Sequence, residues 1–195
     1  VKMRLGWDDA SLNAPEIARI AEGEGARLLT VHGRTRNQFY EGRADWRRIG
    51  AVVAAVSVPV IANGDVTDTA SATAALEQSG AAGVMIGRGA IGRPWRLRQV
   101  ACDLFGGVFR PPTPDEKLRS LLDQISDSVA LYGPHLGVRV VRKHVAAFVD
   151  AWAEDEGWAG IETVDAVRRR LCRHETMDAL ADDLSAALHG YRSAA

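Results

Sequence analysis

Four short clusters along the sequence carry side chains that could do chemistry together. Lys2 and Arg4 supply cations and His32 an imidazole. Asn63-Gly64-Asp65 offers an amide, a bare backbone and a carboxylate, and Gly87-Arg88-Gly89 a guanidinium between two glycines. Glycines at 64, 87 and 89 let main-chain N–H groups approach an anion closely, and Arg88 can add a two-pronged grip on phosphate. The set suits a phosphorylated ligand whose other end lies near Lys2 and His32. It does not suit a metal, because His32 has no Cys, Asp or Glu at ligand spacing. No Ser–His–Asp or Cys–His set stands out either, and no pair of carboxylates is spaced for acid–base work. Singly, each cluster also fits a solvated strand end or a turn. Their recurrence at successive strand ends is what points to a site.

Those clusters sit at the ends of short apolar runs: Val1–Arg4, Leu28–His32, Val58–Asn63 and Gly83–Gly87. Continuous runs of this length predict strands buried on both faces of a parallel sheet. Helix signals fill the gaps. Pro15 suits a first turn, before a stripe of Ile17, Ile20 and Ala21 that ends at Gly23 and Gly25. Asp45 can cap a helix burying Trp46, Ile49, Val52 and Val53, and Asp68 one that stops at Gly80. Pro94 predicts a helix over Trp95–Ala101. Four βα units result, compatible with a doubly wound sheet or a (β/α)8 barrel. Gly87-x-Gly89-x-x-Gly92 has dinucleotide-type spacing, but it follows the last strand instead of opening the first unit. Barrels place functional groups at strand C-terminal ends, as here. The expected fold is α/β: the second half of a (β/α)8 TIM barrel over 1–104, a linker over 105–114, and a small all-α helical bundle over 115–195.

The bundle is read from its own signals. Thr113-Pro114-Asp115-Glu116 forms a capping box with proline at the first helical position. Leu118, Leu121, Leu122, Ile125 and Val129 make a helical stripe, and Val138, Val141, Val145, Phe148, Val149 and Trp152 a second. Helices are expected over Ile161–Cys172 and Met177–His189, with Thr163 and Thr176 as caps. Arg139, Arg142 and Lys143 are expected on a face opposite the Val138 stripe, and Arg168-Arg169-Arg170 with Arg173 form a second basic cluster. The chain has 195 residues, 24 Lys plus Arg against 25 Asp plus Glu, and 47% hydrophobic residues. That balance excludes an intrinsically disordered chain, and no stretch approaches the ~20 apolar residues of a membrane helix. Two cysteines, Cys102 and Cys172, are too few for a disulfide framework, and with no visible signal peptide a cytoplasmic protein is expected.

Taken together, Val1-Lys-Met-Arg-Leu-Gly-Trp7, Leu29-Thr-Val-His-Gly-Arg-Thr-Arg36, Pro59-Val-Ile-Ala-Asn-Gly-Asp65, Gly83-Val-Met-Ile-Gly-Arg-Gly89 and Gly92-Arg-Pro-Trp95 resemble tRNA-dihydrouridine synthases of the bacterial branch. Arg142-Lys143-His144 resembles the Arg-Lys-His signature of that family's helical domain. The resemblance implies an FMN oxidoreductase that reduces a uridine of tRNA to dihydrouridine with NADPH or NADH. It implies FMN contacts at Lys2, His32, Asn63, Gly64, Asp65, Gly87 and Arg88, and RNA contacts at Arg139, Arg142, Lys143 and His144. The target base would have to leave the tRNA stack. The family's proton-donating cysteine belongs to a strand expected upstream of Val1, so the chain reads as the carboxyl-terminal part of such an enzyme, inactive and without a closed barrel by itself. Cys102 and Cys172 read as structural thiols. An FMN barrel reductase of small molecules, or an RNA-binding remnant without turnover, are the alternatives. The oligomeric state stays open.

Overall fold

The structure is a computed structural model that describes residues 1–158 and 162–189, the side chain of His189 excepted. The chain divides into two compact units, one of Val1–Ala90 with Arg96–Phe109, the other of Ile91–Trp95 with the chain from Arg110 onward.

The first unit alternates β1 (Lys2–Arg4), α1 (Ala14–Gly23), β2 (Leu29–His32), α2 (Trp46–Val53), β3 (Val60–Asn63), α3 (Thr69–Ser79) and β4 (Gly83–Met85), then a 3₁₀ turn at Arg88–Ala90 and α4 (Arg96–Phe105). The strands pair in parallel in the order β1-β2-β3-β4. Sequential order without reversal leaves no switch point of the doubly wound kind among the described strands. The expected punctuation is present. Asp45 accepts the N–H of Arg48, Asp68 forms a capping box with Ser71, and Gly80 closes α3 in the left-handed region at φ 65°.

Three expectations change. Helix α1 buries Ala14 and Ala18 and leaves Ile17 and Ile20 of the expected stripe exposed, because the small residues allow closer approach to the sheet. The apolar runs predicted burial on both faces, but the sheet is packed on one. Leu29, Val31, Val60 and Ala62 point into the helix side with Ile49, Val52, Ala72 and Ala75, all at most 3% exposed. Lys2, Thr30, Ile61 and Met85 face the other way and keep partial or full exposure. The helix expected over Trp95–Ala101 starts one residue later, at Arg96. Trp95 instead stands edge-on to Phe148 in the second unit, ring centres 6.4 Å apart. Burying an indole outweighs one more residue of helix.

The second unit contains α5 (Pro114–Tyr132), α6 (Pro134–Glu156), α7 (Val164–Leu171) and α8 (Met177–His189). Thr113 caps α5 with the expected box, and Gly133, at φ 80°, turns α5 into α6. Thr163 accepts the N–H of Ala166 to open α7. Ile161 and residues 190–195, counted in the expected helix and bundle, lie outside the described residues. Both predicted stripes meet in one core: Leu118, Leu121 and Ile125 pack with Val138, Val141, Val145, Val149 and Trp152, closed by Val167, Leu171, Leu180, Leu184 and Leu188.

Candidate functional site

Strand register assembles the site. Arg4 pairs with His32, His32 with Asn63, and Asn63 with Met85, so three separate sequence clusters become one row across the sheet. Just beyond it opens a cavity of about 420 Å³, and Lys2, His32, Asn63, Gly64, Asp65, Gly87 and Arg88 all line it. The neighbouring Gly87 and Arg88, expected to take a phosphate, line it together. A Cβ on Gly87 would meet no protein atom, so its wall of the cavity is bare backbone. Arg88 is exposed and lies with its guanidinium 4.3 Å from the centre of the Tyr40 ring. Lys2 lies lower on β1, level with Thr30, and His32 and Asn63 stand between.

Several of these side chains are held by partners that their spacing does not show. Asn63 donates from Nδ2 to the Met85 carbonyl at 2.8 Å, tying β3 to β4 and leaving Oδ1 as an acceptor. Asp65, at φ 55°, turns back to receive both terminal nitrogens of Arg34 at 2.9 and 2.7 Å, together with the Ala44 N–H at 2.7 Å. Burial opposes its ionisation, but those donors win and hold the carboxyl below the usual carboxylate range. Gly64 is needed for room as much as for any anion. A Cβ there would lie 2.6 Å from His32 Cδ2 and 2.7 Å from Ala44 Cβ, and its carbonyl accepts the Trp46 indole N–H at 2.8 Å.

Arg34 is the residue that motif reasoning left without a role. It is 2% exposed, on the loop after β2, and also donates to the carbonyls of Glu41 at 3.1 Å and Gly42 at 2.8 Å. Arg4 grips the same loop through the carbonyls of Thr35 and Phe39, at 2.7 and 2.8 Å. The signal that could have found Arg34 is its place one residue past His-Gly, where the chain leaves the strand and still points inward. His32 itself is 6% exposed. Burial, then the charges of Arg4, Lys2 and Arg34, push its pKa down to about 4 against the weaker pull of Asp65.

The helical unit separates the expected RNA-binding residues. Arg139 and Lys143 are exposed, and among the described residues neither has an ion-pair partner. Arg142 does not share their face. It lies beside the Val141–Val145 stripe, partly buried, donating to the His174 carbonyl at 3.1 Å while its Nε is buried without a partner. At 100° per residue, position 142 falls close to 138 and 145 on the helix wheel, so packing against the turn that follows α7 claims it. His144 is also partly buried, and burial, helped by Lys143, lowers its pKa. The Arg168–Arg170 run is matched by acids. Arg168 pairs with Asp150 and Asp165, Arg169 with Asp165, and Arg170 with Glu162 and Asp183. The acidic run Glu154-Asp155-Glu156 pairs with Arg93 and with Lys117, whose side chain is 9% exposed.

Cys102 and Cys172 are free thiols and neither borders the cavity. Burial raises the Cys172 pKa. Among the described residues no group of His, Cys, Asp and Glu could hold a metal ion, and no helix is long and apolar enough to cross a membrane.

Parallel βα units with cations and bare glycine backbone at the carboxyl ends of the strands define a class: α/β proteins, whose functional groups gather at those strand ends. Within that class, the family model described as "Dihydrouridine synthase (Dus)" matches residues 1–182, and the chain belongs to this family. It is 54% identical over 154 residues to the probable tRNA-dihydrouridine synthase of Rhodobacter capsulatus, covering 78% of this chain and 48% of that protein. It is 51% identical over 146 residues to the protein of the same description from Rickettsia bellii, covering 74% and 45%. With tRNA-dihydrouridine synthase B of Yersinia pestis the identity is 39% over 186 residues, covering 95% and 57%. The chain spans about half the length of the curated relatives it matches.

Proposed function

We propose that this chain forms the second half of a (β/α)8 barrel and the helical RNA-binding part of a flavin-dependent tRNA-dihydrouridine synthase, which reduces a tRNA uridine to 5,6-dihydrouridine with NADPH or NADH. The observation that carries the reading is the cavity in which Lys2, His32, Asn63, Gly87 and Arg88 converge. FMN fits the chemistry of this donor set. Arg88 and the open backbone at Gly87 suit its phosphate, the free Oδ1 of Asn63 suits a ribityl hydroxyl, and Lys2 suits the pyrimidine edge, where negative charge gathers in the reduced ring. Bound there, the flavin supplies hydride chemistry. Asp65 serves this site through Arg34 and Ala44, shaping the loop instead of offering a charge to the ligand. The face of the sheet that helices leave uncovered becomes the barrel interior in this reading. Neither Cys102 nor Cys172 borders the cavity, so the proton-donating thiol that the family requires is a different one.

The tRNA part of the reading is supported by the exposed Arg139 and Lys143 on α6, which a reductase of small molecules has no use for. The test is flavin binding followed by product analysis. FMN should bind, with its fluorescence quenched, and Lys2→Ala with Arg88→Ala should weaken binding at least tenfold, since charge-assisted hydrogen bonds are worth about 1.5–3 kcal/mol each. The full-length gene product should add two hydrogens per target uridine to unmodified tRNA. Flavin affinity untouched by the double substitution would remove the assigned site.

A further inference from the structure

We infer that Arg34 is a positioning residue that locks His32 as a neutral imidazole with its proton on Nδ1, so that the cavity meets a hydrogen-bond donor at this point and not a cation. The geometry decides the tautomer. A guanidinium has five N–H groups and no acceptor. Four of them are accounted for by the carbonyls of Glu41 and Gly42 and the two oxygens of Asp65. The fifth, on the same terminal nitrogen that reaches Asp65, lies 3.3 Å from His32 Nε2. In a side chain 2% exposed, that N–H has no water to turn to, so Nε2 must offer its lone pair and the proton sits on Nδ1. Gly64 fixes the ring from its other side, because the Nε2–Cδ2 edge lies directly over its Cα. Among the described residues Nδ1 has no hydrogen-bond partner, and it is not one of the described polar atoms that are buried unpaired, so it opens to the cavity that His32 lines.

The surroundings keep the ring neutral. Lys2 and Arg4 face it from β1 and Arg34 from its own loop, with the Tyr40 ring 6.3 Å away. Among the described residues Asp65 is the one carboxylate acting on it, and that group is already held by Arg34 and Ala44. The ligand atom that His32 receives is therefore an acceptor, a carbonyl or phosphate-ester oxygen or a ring nitrogen. Only the identity of that acceptor, as part of a flavin or a uracil, rests on the function proposed above.

The tautomer can be read with no ligand present, by long-range ¹H–¹⁵N NMR of the histidine-labelled chain, with His32 assigned by its loss in His32→Asn. The expected pattern is a protonated Nδ1 and a bare Nε2, unchanged from pH 7.5 to 5.5. A protonated Nε2, or titration in the ordinary histidine range, overturns the inference whether or not any variant folds. In Arg34→Met the proton should move toward Nε2 and titration return toward the ordinary range; an unmoved signature would leave Arg34 a purely structural residue. A second readout uses FMN as probe. His32→Asn, which can set an amide N–H near the Nδ1 position, should keep affinity, while His32→Gln should lose about tenfold, one hydrogen bond's worth. Equal losses count against the inference. Absence of FMN binding in the unaltered full-length gene product would sink the proposed function and leave the tautomer standing.

Discussion

At the scale of single residues, the cavity depends on a cation that does not line it, Arg34. Arg34 holds Asp65, His32 and the backbone of the following loop at once, and Asp65 adopts a left-handed backbone to meet it. Aspartate tolerates that region better than most residues, and the ion pair offsets the remaining strain. The same network sets a pH dependence. His32 titrates near 4 in the fold and near 6.5 when unfolded, so between those values the unfolded chain binds the extra proton. Stability from this group is complete above about pH 6.5 and is lost as pH falls toward 4. Urea unfolding followed at the Trp46 indole should show a lower midpoint at pH 5 than at pH 7, with part of the difference removed in His32→Asn. A variant with the full pH slope would separate His32 from the effect.

At the scale of elements, close approach is achieved with small residues. Ala72 and Ala75 let α3 lie against the sheet, and Gly137 lets α6 cross α5. A Cβ on Gly137 would stand 2.5 Å from Val129 Cα and 2.6 Å from the Ser128 carbonyl oxygen, both backbone atoms with little freedom to retreat. Gly137→Ala gains up to about 1 kcal/mol of helix propensity. Overpacking of this kind costs about 1–3 kcal/mol, so the clash should win and thermal unfolding of the helical unit should shift down. A raised melting temperature would show that α5 and α6 can part freely. At the opposite end of this helix pair, Lys117 and Arg93 answer Glu154, Asp155 and Glu156, and the Lys117 ammonium lies 5.2 Å from the Trp95 ring centre. Burial disfavours charge on Asp155, but Arg93 and Lys117 keep its carboxyl below the ordinary range.

At the scale of the whole chain, a formal charge of −1 conceals a division of labour among the basic residues. The arginines of α7 are matched by acids, and Arg142 is packed against the chain after α7. Arg139 and Lys143 are left to solvent. In the full-length gene product, Arg139→Ala with Lys143→Ala should weaken tRNA binding and reduce the slope of log affinity against log salt by roughly one to two, with flavin content unchanged. An unaltered slope would move the RNA contact off α6.

The sequence by itself determined the alternation of strands and helices, the caps at Asp45, Asp68 and Thr113, the stripes of the helical core and the family, because each is encoded in local periodicity or in a contiguous motif. The strand-tip residues of the cavity were legible for the same reason, since parallel strands in register bring successive tips together, whereas Tyr40, Val66 and Thr67 complete its lining from the loops. Three things were decided only in three dimensions. Partners distant in sequence gave Arg34 its place and committed the Asp65 carboxylate to Arg34 and Ala44. Packing against the turn after α7 took Arg142 off the exposed face that its neighbours share. The helices covered one side of strands whose apolar runs fitted burial on two. In each case the outcome turned on which buried polar group found a partner or which apolar face found a cover, and no local window of sequence contains that information.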